Sequence, residues 1–103
     1  MNFKLYKPVK LASGDTIESL ELDFCSLAIV DLKNAGKIKS MISTVNAMQN
    51  ESVSPRLDRD LRIGLGWVAA MKSDNRLSIN DVVNLSAKDA LILSEEVLSS
   101  YLF

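Results

Sequence analysis

Phe3-Lys4-Leu5-Tyr6-Lys7-Pro8-Val9-Lys10-Leu11 decides how the chain begins. Phe3, Leu5, Val9 and Leu11 fall on one face, while Lys4, Tyr6, Pro8 and Lys10 fall on the other. Lys7 interrupts the apolar face. A period of two marks a half-buried strand. Pro8 has no N–H to give to a ladder, so the strand is expected at an edge or bulged at that point. Ala12-Ser13-Gly14-Asp15-Thr16 carries a turn signal. Alternation resumes at Leu20, Leu22 and Phe24, with Ser19, Glu21 and Asp23 facing away. The expectation is a β-hairpin near 3–24 whose loop contains Gly14. A lone hairpin is marginal in water, so its apolar face needs helices to pack on.

Past residue 26 the period changes to 3.6. Ser26 is a suitable N-cap for a helix starting at Leu27, with Val30 and Ala35 on its stripe. Gly36 weakens that stripe, leaving one helix to about Gln49 or two helices separated there. The stripe is cleanest at Ile38, Met41, Ile42, Val45 and Met48. Residues 50–55 read as a loop, and Ser54-Pro55 as a helix opening. Leu57, Leu61, Leu65 and Val68, widened by Ile63, Trp67 and Met71, define a second helix. Gly64 and Gly66 inside it each cost about 1 kcal/mol against Ala, which points to close packing there. Trp67 reads as core, and its indole N–H then needs an acceptor. Ser73-Asp74-Asn75-Arg76 ends the helix. Ser78-Ile79-Asn80-Asp81 opens a short turn through Leu85. Ser86-Ala87-Lys88-Asp89 resembles a capping box with Asp in place of Glu. A last helix follows, with Ala90, Leu91, Val97, Leu98, Tyr101 and Leu102 on one side. The fold class is α+β, a single domain over 1–103, with an N-terminal β-hairpin packed on a body of three to five α-helices.

Composition excludes several function classes. The 103 residues are 48% apolar and 24% charged, with net charge −1, the profile of an ordinary globular domain. Residues 1–50 hold six basic and five acidic side chains, and 51–103 hold six and eight, so neither half is a polyelectrolyte. Lys4, Lys7 and Lys10 form a short basic run. Arg56, Arg59 and Arg62 form another, but Asp58 and Asp60 cancel most of its field. A nucleic-acid binder needs several cations on one face, so no nucleic-acid partner is expected. A single cysteine permits no internal disulfide, and Cys25 reads as a small hydrophobe at a strand end. The start of the chain lacks the apolar stretch of a signal peptide. Apolar runs of four or five residues fall far short of the ~20 that a membrane span requires. A cytoplasmic protein without a membrane partner is expected.

The chain has no histidine, which removes the commonest general base and metal ligand. Glu95-Glu96 and the pair Asp58 and Asp60 diverge on a helix surface and read as solvated faces. Gly64-Leu65-Gly66 lacks the Lys-Ser or Lys-Thr of a phosphate loop. No catalytic residue, metal or cofactor is expected. The candidate site is instead a binding surface on Ile38, Met41, Ile42, Val45 and Met48, a stripe about 100° wide. Core packing explains these residues too. Methionine suits an adaptable contact, and a domain this small has little capacity to enclose every stripe.

Leu5-Tyr6-Lys7-Pro8-Val9, then Ser13-Gly14-Asp15-Thr16-Ile17, then Leu20-Glu21-Leu22 resembles the opening of the small tail assembly chaperones of P2-like and Mu-like myophages. Members often continue into Pro-Thr and a helix; here Cys25-Ser26 keeps the hydroxyl and loses the proline. Val82-Val83-Asn84-Leu85-Ser86-Ala87-Lys88-Asp89 and Val97-Leu98-Ser99-Ser100-Tyr101-Leu102 are similar to the close of that family, so the resemblance runs over roughly 5–102. It implies a chaperone of phage or prophage tail assembly in the host bacterial cytoplasm. Such a protein binds the tape measure protein, keeps it soluble and helps recruit tail tube subunits. The resemblance also implies the tail tube protein, a longer frameshifted form of the chain, and a homo-oligomer as further partners. Two other readings compete: a structural tail or head-completion protein kept in the virion, and a small helix-turn-helix regulator.

Overall fold

The alternating start of the chain forms β1 (Asn2–Lys10), and the resumed alternation forms β2 (Thr16–Glu21). The computed structural model describes residues 1–42 and 58–102. After the hairpin come α1 (Ile29–Ile42), α2 (Arg59–Ser73), a 3₁₀ helix (Ile79–Asn84) and α3 (Ala87–Ser100). The fold is α+β, as the change of period indicates, with three α-helices and one 3₁₀ helix among the described residues. None of the described helices is long and apolar enough to cross a membrane.

The strands pair antiparallel, with Phe3 opposite Leu20, Lys4 opposite Ser19, and then Val9 opposite Ile17. Between Lys4 and Val9 the ladder shifts, and this is where Pro8 lies. The bulge resolves the conflict at Lys7: Phe3, Leu5, Val9 and Leu11 are all buried, while Tyr6, Lys7 and Pro8 turn to solvent. At the loop, Gly14 has φ +98°, a conformation that favours glycine.

α1 starts two residues later than its sequence suggests. Ser26 does not cap it; its hydroxyl donates to Asp23 at 2.7 Å. Asp31 takes over the N-terminus, accepting the Ala28 N–H at 2.7 Å and pairing with Lys72 at 3.2 Å. The buried line of α1 runs through Asp31, Ala35 and Ile38, which leaves Val30 57% exposed. Gly36 lies within α1 without breaking it. The expected continuation to Gln49, the 50–55 loop, Ser54-Pro55 and Leu57 lie outside the described residues.

α2 is the axis of the molecule. Asp58 caps it by accepting the Leu61 N–H at 3.1 Å, and every residue from Leu61 to Ala70 is buried. A helix buried on all sides needs neighbours all round. A methyl group on Gly64 would meet the α1 backbone at Ala35, and one on Gly66 would meet the side chain of Leu93 on α3. Two helical positions lie ~200° apart around the axis, so α1 and α3 flank α2 on opposite sides. Trp67 is fully buried and donates its indole N–H to the Ser78 carbonyl at 3.0 Å. The hairpin joins α2 through the Asp23 N–H, which donates to the Ala69 carbonyl at 3.1 Å.

α3 buries Leu93 and Val97, while Leu91 and Tyr101, expected on its packed side, are 46% and 40% exposed. Cys25 is also exposed, not packed at a strand end: the chain between β2 and α1 is irregular there, and Phe24 instead stacks on Tyr101.

Candidate functional site

At one end of the molecule the finish of α1, the start of α2, the 3₁₀ helix and the start of α3 converge on an open hollow of about 500 Å³. Met41 and Ile42 form one wall. Val82, Val83 and Leu85 form the facing wall with Ala87, Ala90 and Leu91, and Ile63 lies at the base. Met41, Val83 and Leu91 are 38%, 58% and 46% exposed, so this apolar lining faces solvent. Arg59 and Asp60 stand on its rim, 3.8 Å apart.

A half-buried ion pair and a buried hydrogen bond fix the walls. Lys39 on α1 meets Asp58, the cap of α2, at 2.5 Å. Burial pushes the Asp58 carboxyl up, but the Lys39 ammonium and the Leu61 N–H outweigh it and hold the group below its usual range. Across α2, Arg62 donates through Nε to the Ser94 carbonyl at 3.2 Å, tying α2 to α3.

Two aspartates position the 3₁₀ helix and α3 against the hairpin. Asp81 accepts the Ala12 N–H at 2.9 Å and the Ser78 N–H at 3.1 Å. Ser86 caps α3 by accepting the Asp89 N–H at 3.1 Å. The Asp89 carboxylate turns to the bulge of β1, accepting the N–H groups of Tyr6 and Lys7 at 2.7 and 3.0 Å, and the Ser86 hydroxyl at 2.8 Å. Burial raises its pKa, but these donors more than compensate and lower it. The strand amides freed by the bulge are thereby satisfied by one carboxylate at the start of α3, and the loop amide of Ala12 by another in the 3₁₀ helix.

The sequence-derived stripe divides in this frame. Ile38 is fully buried and packs in the core, out of reach of any partner. Met41 and Ile42 line the hollow. Val45 and Met48 lie outside the described residues. Val83 and Leu91 complete the apolar lining but stand on separate elements, so no single helical stripe reveals them. Among the described residues, no three carboxylate or cysteine side chains gather to hold a metal ion.

The arrangement offers a shallow apolar surface with a charged rim. Comparison with family models, with curated proteins and with solved structures finds no match.

Proposed function

We propose that the protein is a tail assembly chaperone of a phage or prophage, acting in the host bacterial cytoplasm. Its hollow between α1 and α3 holds an apolar helical segment of the tape measure protein. The carrying observation is the solvent-facing apolar lining that Met41, Val83 and Leu91 present together. A groove of this kind takes the apolar face of an amphipathic helix, whose side chains at i, i+3 and i+4 enter it. A tape measure protein is long and helical, and covering its stripes keeps it soluble until tail tube subunits surround it. The resemblance over 5–102 supplies the biological setting. A longer frameshifted form of the chain would present the same groove.

The test is co-expression with the tape measure protein and capture on either partner. Met41→Asp combined with Val83→Asp changes two exposed positions, so the domain stays folded while co-purification falls at least tenfold. A folded double variant that still captures the tape measure protein overturns the reading.

A further inference from the structure

The two outer helices carry opposite charge on their free sides. α1 contains three lysines and one aspartate, and that aspartate, Asp31, is buried against Lys72. Lys33 and Lys37 stand one turn apart on the side turned away from α2, next to Ile29 and Val30, which are 87% and 57% exposed. Among the described residues neither lysine meets a carboxylate. α3 contains two glutamates and one aspartate against a single lysine. Its aspartate is buried at the hairpin, and Lys88 is drawn over the Tyr6 ring, 3.8 Å from the centroid. That leaves Leu91, Ile92 and Glu95 facing solvent, with Glu96 half-buried beside them. The Glu95 side chain is 73% exposed and pairs with Arg62 only at 4.0 Å, which leaves most of the carboxylate open to solvent.

Both free sides repeat one pattern: an adjacent apolar pair, Ile29-Val30 or Leu91-Ile92, then a charge one turn further on, Lys33 or Glu95. The charges are complementary, yet α1 and α3 lie on opposite sides of α2 and do not pack on each other. Within one molecule the two faces never meet. Pairing α1 with α1 of another copy would set lysine against lysine.

We propose that the occupant of each face is a second copy of this chain: the α1 face of one copy docks on the α3 face of the next. The apolar pairs meet at the centre, with Lys33 and Lys37 opposite Glu95 and Glu96. Because unlike patches join, the contact is heterologous, and association proceeds past two copies into a ring or a filament. The contact shares Leu91 with the hollow but uses neither Met41 nor Val83, so the aspartate variants at those two positions test the tape measure reading and the charge swaps below test this one.

Sedimentation velocity on the purified chain tests this. The wild type sediments above the mass of one chain at low ionic strength, increasingly so with concentration. Salt weakens the association as the screening length shrinks from about 10 Å at 0.1 M to about 3 Å at 1 M. Lys33→Glu with Lys37→Glu, and separately Glu95→Lys with Glu96→Lys, each give monomers. Mixing these two variants restores association at least tenfold over either alone. A wild type that is monomeric at every salt concentration overturns the proposal, as do variants that associate like the wild type or a mixture that stays monomeric. Circular dichroism melts check that the variants fold. Should one melt early, Lys33→Gln with Lys37→Gln is expected to show the same loss of association.

Discussion

The carboxylate of Asp89 accepts the backbone N–H of Tyr6 at 2.7 Å across a separation of 83 residues. The same carboxylate takes the Lys7 N–H, so one side chain at the start of α3 receives the two strand amides beside Pro8. Hydrogen bonds to a charged acceptor contribute more than neutral ones, about 1.5–3 kcal/mol each. Asp89→Asn keeps the shape but removes the charge and turns an N–H₂ toward an amide donor. It is expected to destabilise the domain by roughly 2–4 kcal/mol, read as a lower urea midpoint with an unchanged slope. A midpoint equal to the wild type's would show that the clamp contributes nothing.

Asp58 and Asp89 also set the acid limit of the fold. At both sites burial acts to raise the pKa, but Lys39 at Asp58 and the amides of Tyr6 and Lys7 at Asp89 lower it overall. A carboxyl whose folded pKa lies below its unfolded value of about 3.9 contributes stability that is fully present above that value. That contribution is lost as pH falls through the folded pKa. Stability from these groups is therefore flat between pH ~5 and ~7 and drops below pH ~4. Urea unfolding across this range should show the drop. Asp89→Asn should show a smaller one, since it no longer has that proton to take up.

Glycines at three positions in helices give opposite outcomes. Among the described residues no neighbouring atom outside the helix's own backbone lies within 4 Å of a methyl group added at Gly36, so Gly36→Ala gains helix propensity and stabilises by about 0.5–1 kcal/mol. At Gly64 the added carbon would sit 3.0 Å from the Ala35 Cα and closer still to its carbonyl oxygen. Backbone cannot step aside cheaply, so Gly64→Ala is expected to cost about 1–3 kcal/mol despite better propensity. Gly66→Ala presses on the Leu93 side chain at 2.8 Å and should fall between the two. Thermal melts of the three variants rank them.

Ile38 and Met41 separate core from surface along α1. Ile38 is fully buried and Met41 is 38% exposed. Ile38→Asp places a charge in the core at a cost of several kcal/mol and should abolish the cooperative melt. Met41→Asp should melt within a few degrees of the wild type. Equal damage from both would mean that Met41 is structural.

The hairpin and the order of elements were legible because strand alternation and helix periodicity survive in a single sequence. The close approach at Gly64 and Gly66 was legible too, because glycine inside an apolar helix otherwise only loses stability. The phase of α1 was not: Ser26 looks like a cap, but Asp23 captures its hydroxyl and Asp31 does the capping. Nor were the long-range partners of Asp81 and Asp89: Ser86-Ala87-Lys88-Asp89 reads as a local capping box, and only the fold brings the amides of Ala12, Tyr6 and Lys7 to these carboxylates. The candidate surface was half legible. Met41 and Ile42 shared a stripe with Ile38, and only the position of α2 decides which of them faces inward. Val83 and Leu91 join the surface through tertiary packing, which leaves no periodic trace.

The Asp81 and Asp89 clamps have a consequence for biosynthesis. The ribosome makes the hairpin before the 3₁₀ helix and α3, so the carboxylates that satisfy Tyr6, Lys7 and Ala12 belong to segments made later. Elongation at about 5–20 residues per second leaves the early strands waiting for seconds without their anchors. An undocked hairpin is marginal in water, so the nascent chain is expected to stay protease-sensitive until α3 clears the exit tunnel. Docking then closes contacts between distant parts of the chain, the kind that slows folding. Ribosome-bound chains arrested before and after α3 emerges should differ sharply in protease resistance.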